Sequence, residues 1–134
     1  MSDHTVHLIG GEDDEIATLS AAPREGLCHI SFHYRGQTIE AAATDYFQAF
    51  SQIRVRLEQE RLIPFCYGAS LDVFPSGMCR DMSAGMKAYR LKPGLKPELS
   101  DLVHIFDAGP DVIPAFVSRQ REYFDEWLAS KKGS

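Results

Sequence analysis

The chain has 134 residues, of which 44% are apolar or aromatic and 25% are charged, a composition typical of one globular domain and not of a disordered chain. We therefore place a single domain at residues 1–134. Nineteen acidic residues against fourteen lysines and arginines leave a net charge of −5, which disfavours binding to nucleic acid. No apolar run approaches the ~20 residues that a membrane span needs.

The net charge lies in the N-terminal fifth of the chain. Residues 1–26 hold six acidic residues and one basic residue, whereas the remaining 108 residues hold thirteen of each sign. The densest part is the run Glu12, Asp13, Asp14 and Glu15. Such a run is either a solvated turn that keeps the protein soluble or a patch that steers a basic partner.

Two β-hairpins are predicted first. Short β-type runs at 5–9 and 16–19, joined across the acidic run, predict one hairpin. Apolar and polar residues then alternate over 28–35, which predicts a strand with one face in the core and one polar face. The turn Arg35-Gly36-Gln37 leads back into a strand over 38–42, which completes the second hairpin.

An amphipathic helix is predicted over 45–61. Its apolar face follows the spacing i, i+4, i+7 and i+11 and comprises Tyr46, Phe50, Ile53 and Leu57. Thr44 or Asp45 can cap its start, and Arg54 and Glu58 are expected to form an i, i+4 pair on its exposed side. Pro64 marks its end, since proline disfavours helix in the residue before it.

The second half of the chain predicts three strands and a closing helix. The strands cover 65–69, 88–92 and 102–106, the last of which is apolar enough for a central position. The helix has an apolar face of Val117, Tyr123, Phe124, Trp127 and Leu128. Hairpins followed by interspersed helices predict an α+β fold with an antiparallel or mixed sheet, on which the central and C-terminal helices pack.

No pattern in the sequence predicts a metal or a cofactor. His29 and His33 share a strand face but lie ~13 Å apart, which is too far to chelate one ion, and no other histidine has zinc-type spacing. Asp107 and Asp111 bracket Gly109-Pro110, a pattern that either stabilises a turn or holds a cation or a sugar. We expect the turn.

The three cysteines do not predict a catalytic residue. Their odd number and the lack of CxxC spacing indicate reduced thiols, which together with the absence of a secretion signal predicts a cytoplasmic protein. Cys28 and Cys66 fall on apolar strand faces and are expected in the core. Cys79 has a loop-like polar setting beside Arg80, which could lower its pKa, but no histidine base is recognisable.

The segment 67–90 combines polar side chains with methionines at every fourth position, Met78, Met82 and Met86. In one interpretation it forms one or two helical turns that Ser76 caps and whose methionines fill gaps in the core. In the other it is a long ordered loop that carries polar groups and adaptable methionines to a binding surface.

Three stretches of this half of the chain resemble small bacterial proteins that are encoded beside polymorphic or type VI secreted toxins. They are YGAS at 67–70, PSGMCRDMSAGMKAY at 75–89 and VHIFDAGPD at 103–111, and the likeness covers about residues 30–130. The resemblance implies an immunity protein that binds and blocks a cognate toxin. It implies no catalytic residue.

The leading hypothesis is therefore a non-enzymatic cytoplasmic protein that occludes the active site of a bacterial toxin domain, with no nucleic-acid or membrane partner and with a homodimer as a further possibility. The candidate partner-binding residues are Tyr67, Ser70, Asp72, Ser76, Arg80, Asp81 and Lys87, with Glu12, Asp13, Asp14 and Glu15.

Two other hypotheses stay open. The first is a small ligand-binding domain or enzyme with its site in the 67–90 segment, where Arg80 and Lys87 would bind an anion and Cys79 would be the nucleophile. The second is a structural subunit that docks through partly exposed Tyr123, Phe124 and Trp127.

Overall fold

A computed structural model describes residues 2–132, so positions 1, 133 and 134 of the predicted domain lie outside the described residues. The helices and strands are, in chain order, β1 (Ser2–Ile9), β2 (Ile16–Arg24), β3 (Leu27–Tyr34), β4 (Gln37–Ala43), α1 (Tyr46–Glu58), β5 (Ile63–Phe65), β6 (Val73–Phe74), α2 (Gly77–Ser83), β7 (Lys87–Arg90), β8 (Leu102–His104) and α3 (Val117–Lys132). Short 3-10 helices cover Tyr67–Ala69 and Leu99–Asp101. The predicted α+β class is confirmed.

The first five strands form a curled antiparallel sheet in the order β4-β3-β2-β1-β5. Both predicted hairpins are present, and the first is longer than expected because β1 and β2 pair from Ser2 to His7. The β3–β4 hairpin closes through Arg35 and Gly36, at φ 49° and 71°. Two consecutive residues with positive φ match the twist of the flanking strands, which makes this tight turn favourable.

One face of this sheet is buried under α1. Ile30, Phe32 and Tyr34 point inward from β3, as the alternation predicted, and are buried. Asp45 caps the helix as expected, because its Oδ1 accepts a hydrogen bond from the backbone N–H of Gln48 at 2.8 Å. The helix ends at Glu58, three residues before the predicted end, and the chain then turns into β5.

The expected single sheet is wrong, since β6, β7 and β8 form a separate three-stranded antiparallel sheet. The predicted strand over 65–69 is also wrong. The strand ends at Phe65, and Gly68 lies in a 3-10 turn so close to its neighbours that an added Cβ would be 3.0 Å from the carbonyl oxygen of Ile105. The predicted central strand over 102–106 is instead the edge strand β8. Ile105 and Phe106 leave it to enter the core, which explains the apolar run.

The aromatic face of α3 packs against the second sheet and the segment that follows β7. Trp127 is buried, and its indole N–H donates to the carbonyl oxygen of Leu95 at 3.1 Å. Phe124 stacks on Phe74 of β6 with ring centroids 4.1 Å apart. The hydroxyl of Tyr123 donates to the carbonyl oxygen of Leu91 at 2.9 Å. Of the three aromatic residues expected to be partly exposed, Trp127 is buried, whereas Tyr123 and Phe124 are half-buried.

The expected exposed pair of Arg54 and Glu58 is wrong. Arg54 is only 1% exposed, and its guanidinium donates to the carbonyl oxygens of Gly68 and Ala115, at 2.9 Å each, and to Oε1 of Gln120 at 2.7 Å. Burial lowers the pKa of Arg54 to about 10, so the side chain stays charged at neutral pH. Arg54 therefore supplies hydrogen-bond donors to buried carbonyl groups that do not pair with a strand. The periodicity of the helix cannot predict this role, because the carbonyl groups belong to other parts of the chain.

His104 joins the two sheets beside His4 of β1. The two ring centroids are 5.3 Å apart, and both rings contact Phe106. Burial lowers the pKa of His104 from its ordinary 6.5, His4 and Lys87 lower it further, and Asp107 opposes them. Below pH 6.5 the unfolded state therefore binds more protons at this site than the folded state does.

We accordingly expect the free energy of unfolding to fall as the pH drops from 6.5 through the lower folded-state pKa of His104. Urea denaturation at a series of pH values measures this slope. His104→Asn should reduce it, because asparagine does not titrate and its Oδ1 can replace Nδ1 as acceptor for the N–H of Phe106, a 3.2 Å hydrogen bond. His33→Asn, on the open sheet face, is the control. Equal slopes in both variants would contradict the assignment.

Candidate functional site

The segment 67–90 is regular structure and not an extended loop. It contains β6, the two-turn helix α2 and β7. Ser76 caps α2 as expected, because its Oγ accepts a hydrogen bond from the backbone N–H of Cys79 at 3.1 Å. At the other end, Gly85 has φ 78° and lies so close to Asp45 that a Cβ would be 2.8 Å from its Oδ1. Close packing of this kind holds α2 against the start of α1.

The methionines of α2 do not fill the core. Met78 is 66% exposed and Met82 is 81% exposed, whereas Met86, beyond the helix, packs against the core. The interpretation of core-filling methionines is therefore wrong for the two that lie in α2. Nothing in the fold requires an apolar side chain at these two positions.

Met78 and Met82 border an apolar hollow of about 400 Å³, which Tyr89, Leu99 and Leu102 also line. Leu99, in the 3-10 helix before β8, is 81% exposed. We call the three exposed residues Met78, Met82 and Leu99 the methionine face. The sequence pointed to the two methionines but not to Leu99, whose position beside them depends on the pairing of β7 with β8.

Several predicted partner-binding residues have partners inside the protein. Tyr67 donates its hydroxyl hydrogen to Oδ1 of Asp111 at 2.6 Å, and Ser70 donates to Oδ1 of Asp72 at 2.8 Å. Ser76 caps α2. Asp81 and Lys87 are exposed, and Lys87 lies at the methionine hollow.

Arg80 and Lys87 do not converge on one anion. The guanidinium of Arg80 forms an ion pair with the buried carboxylate of Asp45 and lines a cleft between the helices, whereas Lys87 lines the hollow at the methionine face. The pairing that the ligand-binding hypothesis assumed is therefore not formed.

Asp111 stabilises a turn. It accepts hydrogen bonds from Tyr67 and Arg90, and the Tyr67 hydroxyl, with Arg90, holds the pKa of the Asp111 carboxyl below its usual range. A Cβ at Gly109 would overlap the hydroxyl of Tyr67, so a larger residue there would displace the Tyr67 side chain from Asp111. These contacts favour the turn over a cation or sugar site.

The expected loop-like setting of Cys79 is wrong, because Cys79 is buried within α2. Cys66 is fully buried, and burial raises its pKa to about 12. Burial also raises the pKa of Cys28. Burial and these raised pKa values keep Cys28 and Cys66 in the unreactive thiol form.

The acidic run lies on the turn between β1 and β2. Glu12, Asp13 and Asp14 are exposed. Glu15 is different, because Arg35 binds its carboxylate through Nε at 2.5 Å and Nη2 at 3.0 Å, and this contact lowers the pKa of Glu15. Three of the four acids are therefore solvated charges, and the fourth joins the turn to the β3–β4 hairpin.

On the open face of the five-stranded sheet, His29 and His33 each contact a residue of the neighbouring strand β4. Nδ1 of His33 lies 2.8 Å from Oγ1 of Thr38, and Nε2 of His29 lies 3.2 Å from Oε1 of Glu40. Across the described residues, no group of three or more histidine, cysteine, aspartate or glutamate side chains is placed to bind a metal ion.

Within residues 2–132, no helix combines the length and the apolar character that crossing a bilayer requires. A scan against protein-family models and a search of curated proteins find no match to this chain.

Proposed function

We propose that this protein is a non-enzymatic cytoplasmic binding protein, and that it acts as an immunity protein which docks on a bacterial toxin domain and occludes its active site. The observation that carries the proposal is the methionine face, where Met78, Met82 and Leu99 expose apolar side chains beside an apolar hollow. Exposed apolar groups that cluster in this way mark interaction sites more often than single ones do. The resemblance of the 67–111 region to immunity proteins supports the same function.

Methionine suits such a surface. Its unbranched side chain is flexible and polarizable, so it can adapt its shape to an apolar partner. Asp81 and Lys87 are exposed in and just after α2, so a polar rim surrounds the apolar centre. This arrangement, an apolar centre with a charged rim, is that of a protein–protein interface.

The acidic turn supports a basic partner. Glu12, Asp13 and Asp14 are solvated, and they belong to the part of the chain that carries the net charge of −5. Solvated charges at the rim raise the association rate of an oppositely charged partner more than they slow its dissociation. The turn would therefore steer the toxin, and the methionine face would hold it.

The enzyme alternative has less support. Cys79 and Cys66 are buried, and Arg80 is paired with Asp45. The hydroxyl of Thr38 lies 2.8 Å from Nδ1 of His33, but these two residues pair across β3 and β4 and lie outside the 67–90 segment in which the enzyme alternative places its site.

We expect Met78→Ser combined with Met82→Ser to weaken binding to the toxin domain encoded beside this protein by at least about tenfold, because the centre of the interface loses its apolar contacts. Surface-binding kinetics and rescue of cells that express the toxin measure the effect. The matched control is Val55→Ser, which replaces a 49% exposed apolar residue on α1.

The proposal fails if the double variant binds and protects as the unchanged protein does, or if the Val55 variant loses as much. It also fails if the methionine face is the interface of a homodimer and the two serine substitutions act by separating its two copies. Sedimentation of the unchanged protein and of the double variant would reveal this.

A further inference from the structure

A second cleft, of about 460 Å³, lies where the start of α1 meets α2 and α3. It lies on the other side of α2 from the methionine face. Its lining residues come from four helices or strands, α1, β6, α2 and α3, and from the connection between β4 and α1. They include Asp45, Phe47, Phe74, Arg80 and Arg121. A volume of this size fits a small ligand or one residue of a peptide.

The charges that line this cleft are two arginines and one carboxylate. Both carboxylate oxygens of Asp45 are already used, since Oδ1 accepts the N–H of Gln48 and Oδ2 pairs with Arg80. Arg121 contacts Asp125 through Nε at 3.4 Å, but Asp125 does not line the cleft. The cleft is therefore locally positive in a protein whose net charge is −5.

Aromatic rings hold the two guanidinium groups. The Arg80 guanidinium carbon is 6.0 Å from the ring centroid of Phe47 and 5.9 Å from that of Phe74. The Arg121 guanidinium carbon is 5.7 Å from the ring centroid of Phe74. A guanidinium over a ring keeps the N–H groups at its edge available for hydrogen bonds, and its planar fork matches a carboxylate.

We propose that this cleft binds a carboxylate that carries an apolar or aromatic group. The carboxylate accepts hydrogen bonds from Arg121 and Arg80, and the apolar group enters the cleft that Phe47 and Phe74 line. This chemistry is shared by a small aryl carboxylate and by the C-terminal residue of a peptide. The inference does not depend on the proposed function, because it concerns different residues.

The test is a titration followed by two-dimensional ¹H–¹⁵N NMR of the full chain. Phenylacetate should shift the resonances of Phe74, Arg80 and Arg121 in a saturable way, and neutral phenylacetamide should bind at least about tenfold more weakly. Acetyl-glycyl-phenylalanine, compared with its C-terminal amide, identifies a peptide source. Binding by either carboxylate supports the proposal, and the stronger of the two names the source. Binding by neither, or equal binding by the amides, overturns it.

Arg121→Gln should weaken phenylacetate binding about tenfold or more. The side chain of Arg121 is 64% exposed, so this substitution leaves the core intact. A change at Arg80 would disturb the core, because Arg80 is paired with the buried Asp45. The matched control is Arg119→Gln on the same helix, whose side chain contacts Glu122 and Glu126 and does not line the cleft. Equal affinity of the two variants would overturn the assignment to this cleft.

Discussion

Arg54→Met is expected to lower the free energy of unfolding by about 3–5 kcal/mol. The substitution keeps the volume of the side chain roughly constant but removes three buried hydrogen bonds from a charged donor. The carbonyl oxygen of Ala115 and Oε1 of Gln120 lose the donor that the structure gives them. Buried polar groups without a partner are costly, and Arg54 also joins α1 to the start of α3.

Urea denaturation followed by circular dichroism measures this loss, with Arg56→Met as the matched control. Arg56 lies two residues further along the same helix and is exposed, so its replacement should change the stability by less than about 0.5 kcal/mol. A loss below about 1 kcal/mol for Arg54→Met would mean that water or another donor can satisfy these carbonyl groups.

Phe50→Ala is expected to cost about 3–5 kcal/mol, through lost burial and the cavity that remains. Phe50 is fully buried at the centre of α1 and meets the ring of Phe106 edge to face, with centroids 5.1 Å apart. It also lies close against Gly68, so it joins the helix to the segment between the two sheets.

The same denaturation experiment tests this expectation against Phe116→Ala, at a position where the ring is 40% exposed. The control should lose less, since its ring is partly solvated already. If the two variants lose the same stability, Phe50 cannot lie at the centre of the core.

The two proposed surfaces lie on opposite sides of α2 and can fail independently. Met78→Ser with Met82→Ser should leave phenylacetate binding unchanged, because neither methionine lines the cleft of Arg80 and Arg121. Conversely, Arg121→Gln should leave toxin binding unchanged. Loss of both activities in the methionine variant would indicate that α2 itself has unfolded, whereas loss of both in Arg121→Gln, which changes α3, would contradict the independence of the two surfaces.

Local interactions along the chain are enough to explain the elements that the sequence predicts correctly. Alternation of apolar and polar residues placed β3, and the spacing of Tyr46, Phe50 and Ile53 placed α1, because strands and helices each bury a face with its own period. Asp45 and Ser76 were recognisable as caps, since a cap needs only the N–H groups of the next turn.

The contacts between these elements depend on residues that are distant in sequence. Arg54 was expected to be exposed, and it is buried because unpaired carbonyl groups distant in sequence need a donor. Met78 and Met82 are exposed although they are apolar, because the short helix α2 packs through its other side. Arg80 and Arg121 meet at one cleft across 40 intervening residues. Such contacts depend on how the two sheets and three helices pack, and no local pattern records that packing.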